Sequence, residues 1–128
     1  MLVKQEGFLV TVKHIGKGNA DNGRMACEAI EKAVNALQGH AIVYHDAAML
    51  QSADDQYVAA FMALEKRVRG KVRMTVCFIP NVWLRTLAKA VGAVAPGKWH
   101  FFGKADEARA FLASKGGSAH GAGPAAPQ

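Results

Sequence analysis

Cysteine is nearly absent from this 128-residue chain: Cys27 and Cys77 stand fifty positions apart in apolar surroundings, and neither belongs to a C-x-x-C. Two isolated thiols build no disulfide framework, so they read as reduced cysteines of a cytoplasmic protein. No apolar run approaches the length of a bilayer span, so no transmembrane segment is expected. The opening "MLVKQEGFLV" has one lysine but no long apolar stretch ending in a small-residue cleavage site, and so shows no secretory signal. The five histidines, His14, His40, His45, His100 and His120, have no ligand spacing such as H-E-x-x-H. No metal and no cofactor is therefore expected. There is no internal repeat.

What is present is a chain that is 51% hydrophobic, enough for one domain to bury a core without staples. The formal net charge of +6 allows acidic partners without identifying any. From Ser114 onward, "SKGGSAHGAGPAAPQ" contains no large hydrophobe, and nothing in it offsets the entropy of ordering. The expected organisation is a folded unit over residues 1–113 and a flexible Gly/Ala/Pro-rich tail over 114–128.

Strands and helices alternate along the folded unit. "GFLVTVKHIG" is β-branched and aromatic and reads as a strand, with the segment before Gly7 as its edge partner. A helix follows in which Ala26, Ile30, Ala33, Val34 and Leu37 share one stripe, with Gly39 at its C-terminal cap position. "HAIVYH" is a short, nearly continuous apolar run, as a strand covered on both faces requires. A second helix runs from about Ala53 to Val68 with Tyr57, Phe61, Leu64 and Val68 on one face. "VRMTVCFI" is the strongest strand and Pro80 ends it. Asn81 caps a third helix, stopped at Gly92. "WHFF" and "DEARAFLAS" supply a last strand and a last helix. Helical connections between strands imply parallel pairing and right-handed crossovers. The fold class is α/β: a single, mostly parallel sheet of about four to five strands with four helices.

The stretch "HDAAMLQSADDQ" joins the second apolar strand to the second helix. Ser52-Ala53-Asp54-Asp55 fits a capping box, with Ser52 as N-cap and Asp55 three positions on. Asp54 and Asp55 also place negative charge in the first turn, where the helix dipole favours it. A buried strand ending in Asp46, a short loop and a second aspartate opening an amphipathic helix resemble the STAS-like fold of anti-sigma-factor antagonists and their SpoIIAA-like relatives. "KVRMTVCFIPN" and "WHFFGKADEARAFL" resemble that family's third strand and closing strand–helix unit. The resemblance covers about residues 7–113. It implies a bacterial, regulatory signalling module that binds a protein partner. The family's phosphorylatable serine falls on Asp55 when the alignment starts at Asp46, and Gln56 and Tyr57 stand where small residues belong. A serine phospho-switch is thus not expected at this place, as in the SpoIIAA-like branch, some of whose relatives resemble lipid carriers.

Other motifs carry less. "IGKGNADNGR" lacks the lysine position and hydroxyl of a P-loop, and Gly16, Gly18 and Gly23 miss the dinucleotide spacing. It reads as a strand-to-helix loop capped by Asp21 or Asn22. Lys66, Arg67, Arg69, Lys71 and Arg73 read as a solvated basic helix end; with no helix-turn-helix or paired RNA-binding aromatics, a nucleic-acid partner is not expected. His45 beside Asp46 is the best-placed histidine for proton transfer, but lacks a third partner and reads as structural. Cys77 lies inside a strand whose apolar neighbours raise its thiol pKa.

The expected function is therefore non-enzymatic: a regulatory or scaffold module docking a protein partner, or a second copy of itself, through Asp46, Ser52, Asp54, Asp55 and Gln56. The alternative is a carrier or sensor of a small apolar or amphipathic ligand, using a cavity near Met62, Trp83 and Phe102. A cavity of ligand size favours the second, and an exposed apolar patch beside Asp54 favours the first.

Overall fold

The computed structural model describes residues 2–95 and 97–115. Its elements are β1 (Leu2–Glu6), β2 (Leu9–Gly18), α1 (Ala20–Ala36), β3 (Ala41–Ala53), α2 (Asp55–Arg67), β4 (Val72–Phe78), α3 (Val82–Val94), β5 (Trp99–Phe102) and α4 (Ala105–Ser114). The five strands form one sheet in chain order, with β1 antiparallel to β2 and every other pair parallel. The edge hairpin turns at Gly7, whose φ of 59° suits glycine. The α/β class, the mostly parallel sheet and the four helices agree with the sequence.

Strand alternation divides the core in two. On one face Val10, Val12 and Val43 meet Cys27, Ile30 and Val34 of α1 and Leu64 of α2, while Ala47, Cys77 and Ile79 meet Leu84 and Ala88 of α3. On the other, Leu9, Ile42, Met74 and Val76 meet Leu112 and Phe111 of α4. Helices α1 and α2 pack closely on each other; α3 stays apart from α2. A groove is left over β4, between α2 and α3.

Several local expectations are corrected. The strand beginning at Ala41 does not stop at His45: it runs to Ala53, because β2 continues beside it through Gly18 and offers hydrogen-bond partners. Two register irregularities accommodate the extra length. Ser52 is therefore a strand residue and not a helix cap. Asp54 takes that role, its Oδ1 accepting the Tyr57 N–H at 2.9 Å, so Asp55 is the first helical residue and closes no box. Asn19, not Asp21 or Asn22, caps α1 by accepting the Asn22 N–H at 3.0 Å. Gly92 lies within α3, where Phe101 occupies the space beside it, and α4 extends through Ser114 to Lys115. Residues 116–128 of the expected tail lie outside the described residues.

These caps set an expected result. Asp54→Ala should destabilise the fold by about 1 kcal/mol, through one helix-start N–H left without its acceptor. Ser52→Ala should cost less than about 0.5 kcal/mol, as an exposed strand position does. Urea unfolding of the two variants checks it; the reverse order would restore Ser52 as the cap.

The basic segment is used structurally in part. Arg67 Nε donates to Glu31 Oε1 at 2.9 Å and Lys71 Nζ to Asn35 Oδ1 at 3.0 Å, both tying α1 to the end of α2. No helix among the described residues is long and apolar enough to cross a membrane.

Candidate functional site

The parallel strands place the C-terminal ends of β2, β3 and β4 side by side under α2 and α3, the position at which open α/β sheets form crevices. Two histidines end the apolar runs of β2 and β3 there. Val12 is registered with His45, so His14 lies diagonally beside His45 on the same face. His14 Nε2 and His45 Nδ1 are 2.9 Å apart, and His14 Nδ1 is hydrogen-bonded to the Tyr57 hydroxyl. Phe61, one turn along α2 from Tyr57, packs against all three rings.

This buried chain of three rings is the base of a cavity of about 100 Å³. Its walls are apolar: Leu50 from β3, Phe61 from α2, Ile79 after β4, and Leu84 and Ala88 from α3. His45 Nε2 has no hydrogen-bond partner among the described residues. No fully enclosed polar side-chain atom there lacks one, so Nε2 is open to the cavity that His45 lines.

Burial dominates the electrostatics. It holds His45 down to about 4 and His14 well below the ordinary histidine value, with each ring's proximity to the other acting on His14 in the same direction. Burial also pushes the Tyr57 hydroxyl and the Cys77 thiol upward. At neutral pH both imidazoles are uncharged and the tyrosine and cysteine keep their protons.

Glycine positions this assembly. A Cβ at Gly18 would press into the Ser52 carbonyl oxygen and come within 2.9 Å of the Tyr57 ring, and one at Gly23 would stand 3.2 Å from both Tyr57 and Ala60. Gly18 and Gly23 of "IGKGNADNGR" thus serve the close approach of β2 and α1 to Tyr57.

The residues singled out in the sequence fall in two places. Asp46 points to the face opposite His45, as strand alternation requires, and its Oδ1 accepts the Ala48 N–H at 3.0 Å. Ser52, Asp54, Asp55 and Gln56 are exposed together at the junction of β3 and α2. The expected apolar trio is not brought together. Trp83 is 83% exposed, Met62 is at the surface of α2, and Phe102 packs with Phe111 on the α4 side. Chain distance concealed this: Trp83 begins α3 before the helix turns inward, and Phe102 alternates away from Phe101. The sequence reading also passed over His14 and Tyr57. The available signal was the pair of histidines closing two consecutive apolar strands.

The architecture is a SpoIIAA-like α/β fold. A solved structure with the same arrangement is an uncharacterised protein of the DUF3478 family with a SpoIIAA-like fold from Shewanella loihica PV-4. The similarity has a TM-score of 0.67 over 86% of this chain and 90% of that one, at 14% sequence identity. It establishes the fold. No protein-family model matches the chain, and no curated protein sequence does.

Proposed function

We propose that the protein is a non-enzymatic binding module that holds a small ligand, or the apolar end of a larger amphipathic one, in the cavity over His14, His45 and Tyr57. The observation that carries this reading is one unsatisfied polar atom, His45 Nε2, at the base of an otherwise apolar cavity. Such a site recognises an apolar body with one hydrogen-bonding group.

The ring chain gives it an adaptable polar end. With His14 protonated at Nε2, Tyr57 donates to His14 Nδ1, His14 donates to His45 Nδ1, and His45 Nε2–H is a donor towards the cavity. With the protons shifted, His45 Nδ1 donates to His14 Nε2, His14 Nδ1 donates to the Tyr57 oxygen, and His45 Nε2 becomes an acceptor. Both arrangements keep every ring neutral. A ligand carbonyl selects the first and a ligand hydroxyl suits either.

Phenol tests this reading because its size and single hydroxyl match the site. Wild-type protein followed by two-dimensional NMR should bind phenol saturably, with a Kd on the order of 1 mM for so few atoms. Shifts should centre on His45, Phe61 and Leu84. Ala88→Phe should fill the cavity and abolish binding, and His45→Phe should weaken phenol more than benzene. Phenol shifts that persist in Ala88→Phe would place binding elsewhere.

A second reading rests on a different feature. Beyond Asp46, β3 pairs only with β2 among the described residues, so residues 48–52 carry an open edge on their other side, with Met49 58% exposed. An edge beside exposed Ser52, Asp55 and Gln56 suits a protein partner, or a second copy, adding a strand. Asp54 would hold the helix start while Asp55 presents a constant negative charge. This reading gains if the cavity stays empty of phenol.

A further inference from the structure

A second cavity lies where α2 finishes and β4 and β5 begin. It measures about 200 Å³, and its lining sets Glu65, Thr75, Arg69 and Lys98 among apolar residues such as Val72 and Met74. Glu65 is 7% exposed and sits between Leu64 and Val68 on the sheet-facing side of α2, a place for an apolar residue. A carboxylate there is costly unless a donor or countercharge meets it. Among the described residues its side chain has neither hydrogen bond nor ion pair, and no sealed polar side-chain atom lacks a partner. Its carboxylate therefore opens onto the cavity. Thr75, a residue 3% exposed, lines the same cavity and brings a hydroxyl to it. Arg69 and Lys98 are exposed at the rim, and neither is ion-paired with Glu65.

The cavity thus carries a carboxyl group and a hydroxyl inside and two cations at its mouth. A simple anion is opposed by Glu65, and a simple cation must pass the rim charges. A molecule with an ammonium at one end and a carboxylate at the other meets both. We propose that this cavity binds a small zwitterion, its ammonium group on Glu65 and the Thr75 hydroxyl and its carboxylate at Arg69 and Lys98. The volume suits a compact amino acid and falls below that of drug-sized ligand sites.

Burial raises the empty site's Glu65 carboxyl to about 7, and an ammonium beside it pulls it back toward the ordinary range, which provides a readout independent of affinity. The probes are glycine, β-alanine and 4-aminobutanoate, with propylammonium and butanoate as single-charge controls, added to the full chain. At least one zwitterion should give saturable amide shifts at Thr75, Gly97 and Lys98 and should lower the Glu65 carboxyl titration seen by carbon NMR. Both controls should bind at least about tenfold more weakly. Glu65→Gln should lose about tenfold or more in affinity. Arg69→Ala, at an exposed position, should lose several-fold with the fold intact, and it carries the test if Glu65→Gln does not fold. No saturable shift with any zwitterion overturns the proposal. So does undiminished binding in both variants, or propylammonium binding as well as the zwitterions.

Discussion

Alanine at Gly18 should destabilise the protein by about 3 kcal/mol, at the upper end of what overpacking costs. The new methyl group meets the Ser52 carbonyl oxygen, which is backbone and cannot swing aside, and the Tyr57 ring 2.9 Å away. The end of β2 must then separate from β3, or α2 must lift. Either movement draws the Tyr57 hydroxyl from His14, so the imidazole nitrogen shifts of His14 and His45 should change together with the fall in stability. Gly16 is the control. Its φ of +79° makes alanine strained there, but no atom lies within 4 Å of the added carbon, so Gly16→Ala should cost about 1 kcal/mol and leave the imidazole signals alone. Equal costs and equal spectra for the two variants would remove Gly18 from the positioning of Tyr57.

Removing the Glu65 carboxylate should make the protein acid-labile. Two buried groups work in opposite directions as the pH falls. His45 titrates near 6.5 when unfolded and about 4 when folded, so between those values the unfolded chain binds more protons and stability falls with falling pH. The loss is about 3 kcal/mol between pH 7 and pH 4, and His14, lowered for the same reason, adds to it. Glu65 titrates near 4.5 unfolded and about 7 folded, so in its window the folded chain binds more protons and stability rises with falling pH. That gain, also about 3 kcal/mol, offsets the His45 share of the loss in the wild type. Glu65→Gln removes the offset, and its unfolding free energy should drop by about 3 kcal/mol more than that of the wild type from pH 7 to pH 4. Replacing His45 with phenylalanine removes its share of the loss, so that variant should lose about 3 kcal/mol less than the wild type between pH 7 and pH 4. Urea titrations at half-unit pH steps measure all three slopes. Parallel slopes for wild type and Glu65→Gln would show that Glu65 is not held in its protonated form by the fold.

Alternation of apolar runs with amphipathic helices was legible because it is local. The "VRMTVCFI" segment, the Tyr57–Phe61–Leu64–Val68 stripe and the Asn81 cap all appear where the residues place them. Element order with short connections then permits few arrangements, and a mostly parallel sheet with its strands in chain order is the one adopted. The SpoIIAA-like resemblance was readable from the same order. The helix start near Ser52 was misread because two competing acceptors lie two residues apart, and local pattern favours serine as readily as aspartate.

Pairing decided that case. Once β2 extends through Gly18, residues as far as Ala53 stay paired with it in the sheet, and the acceptor that opens α2 is Asp54. The sites belong to the same category. His14, His45 and Tyr57 span 43 positions and become one chain only through strand register and the close approach that Gly18 and Gly23 permit. Glu65 reads in the sequence as part of the charged end of α2, yet it is turned inward by its place between Leu64 and Val68. Hydrophobic period and turn chemistry act over a few residues, so the sequence by itself determined the elements and the fold class. Which polar groups end up buried, unpaired and facing a cavity depends on contacts between distant segments. Only the tertiary structure decided that.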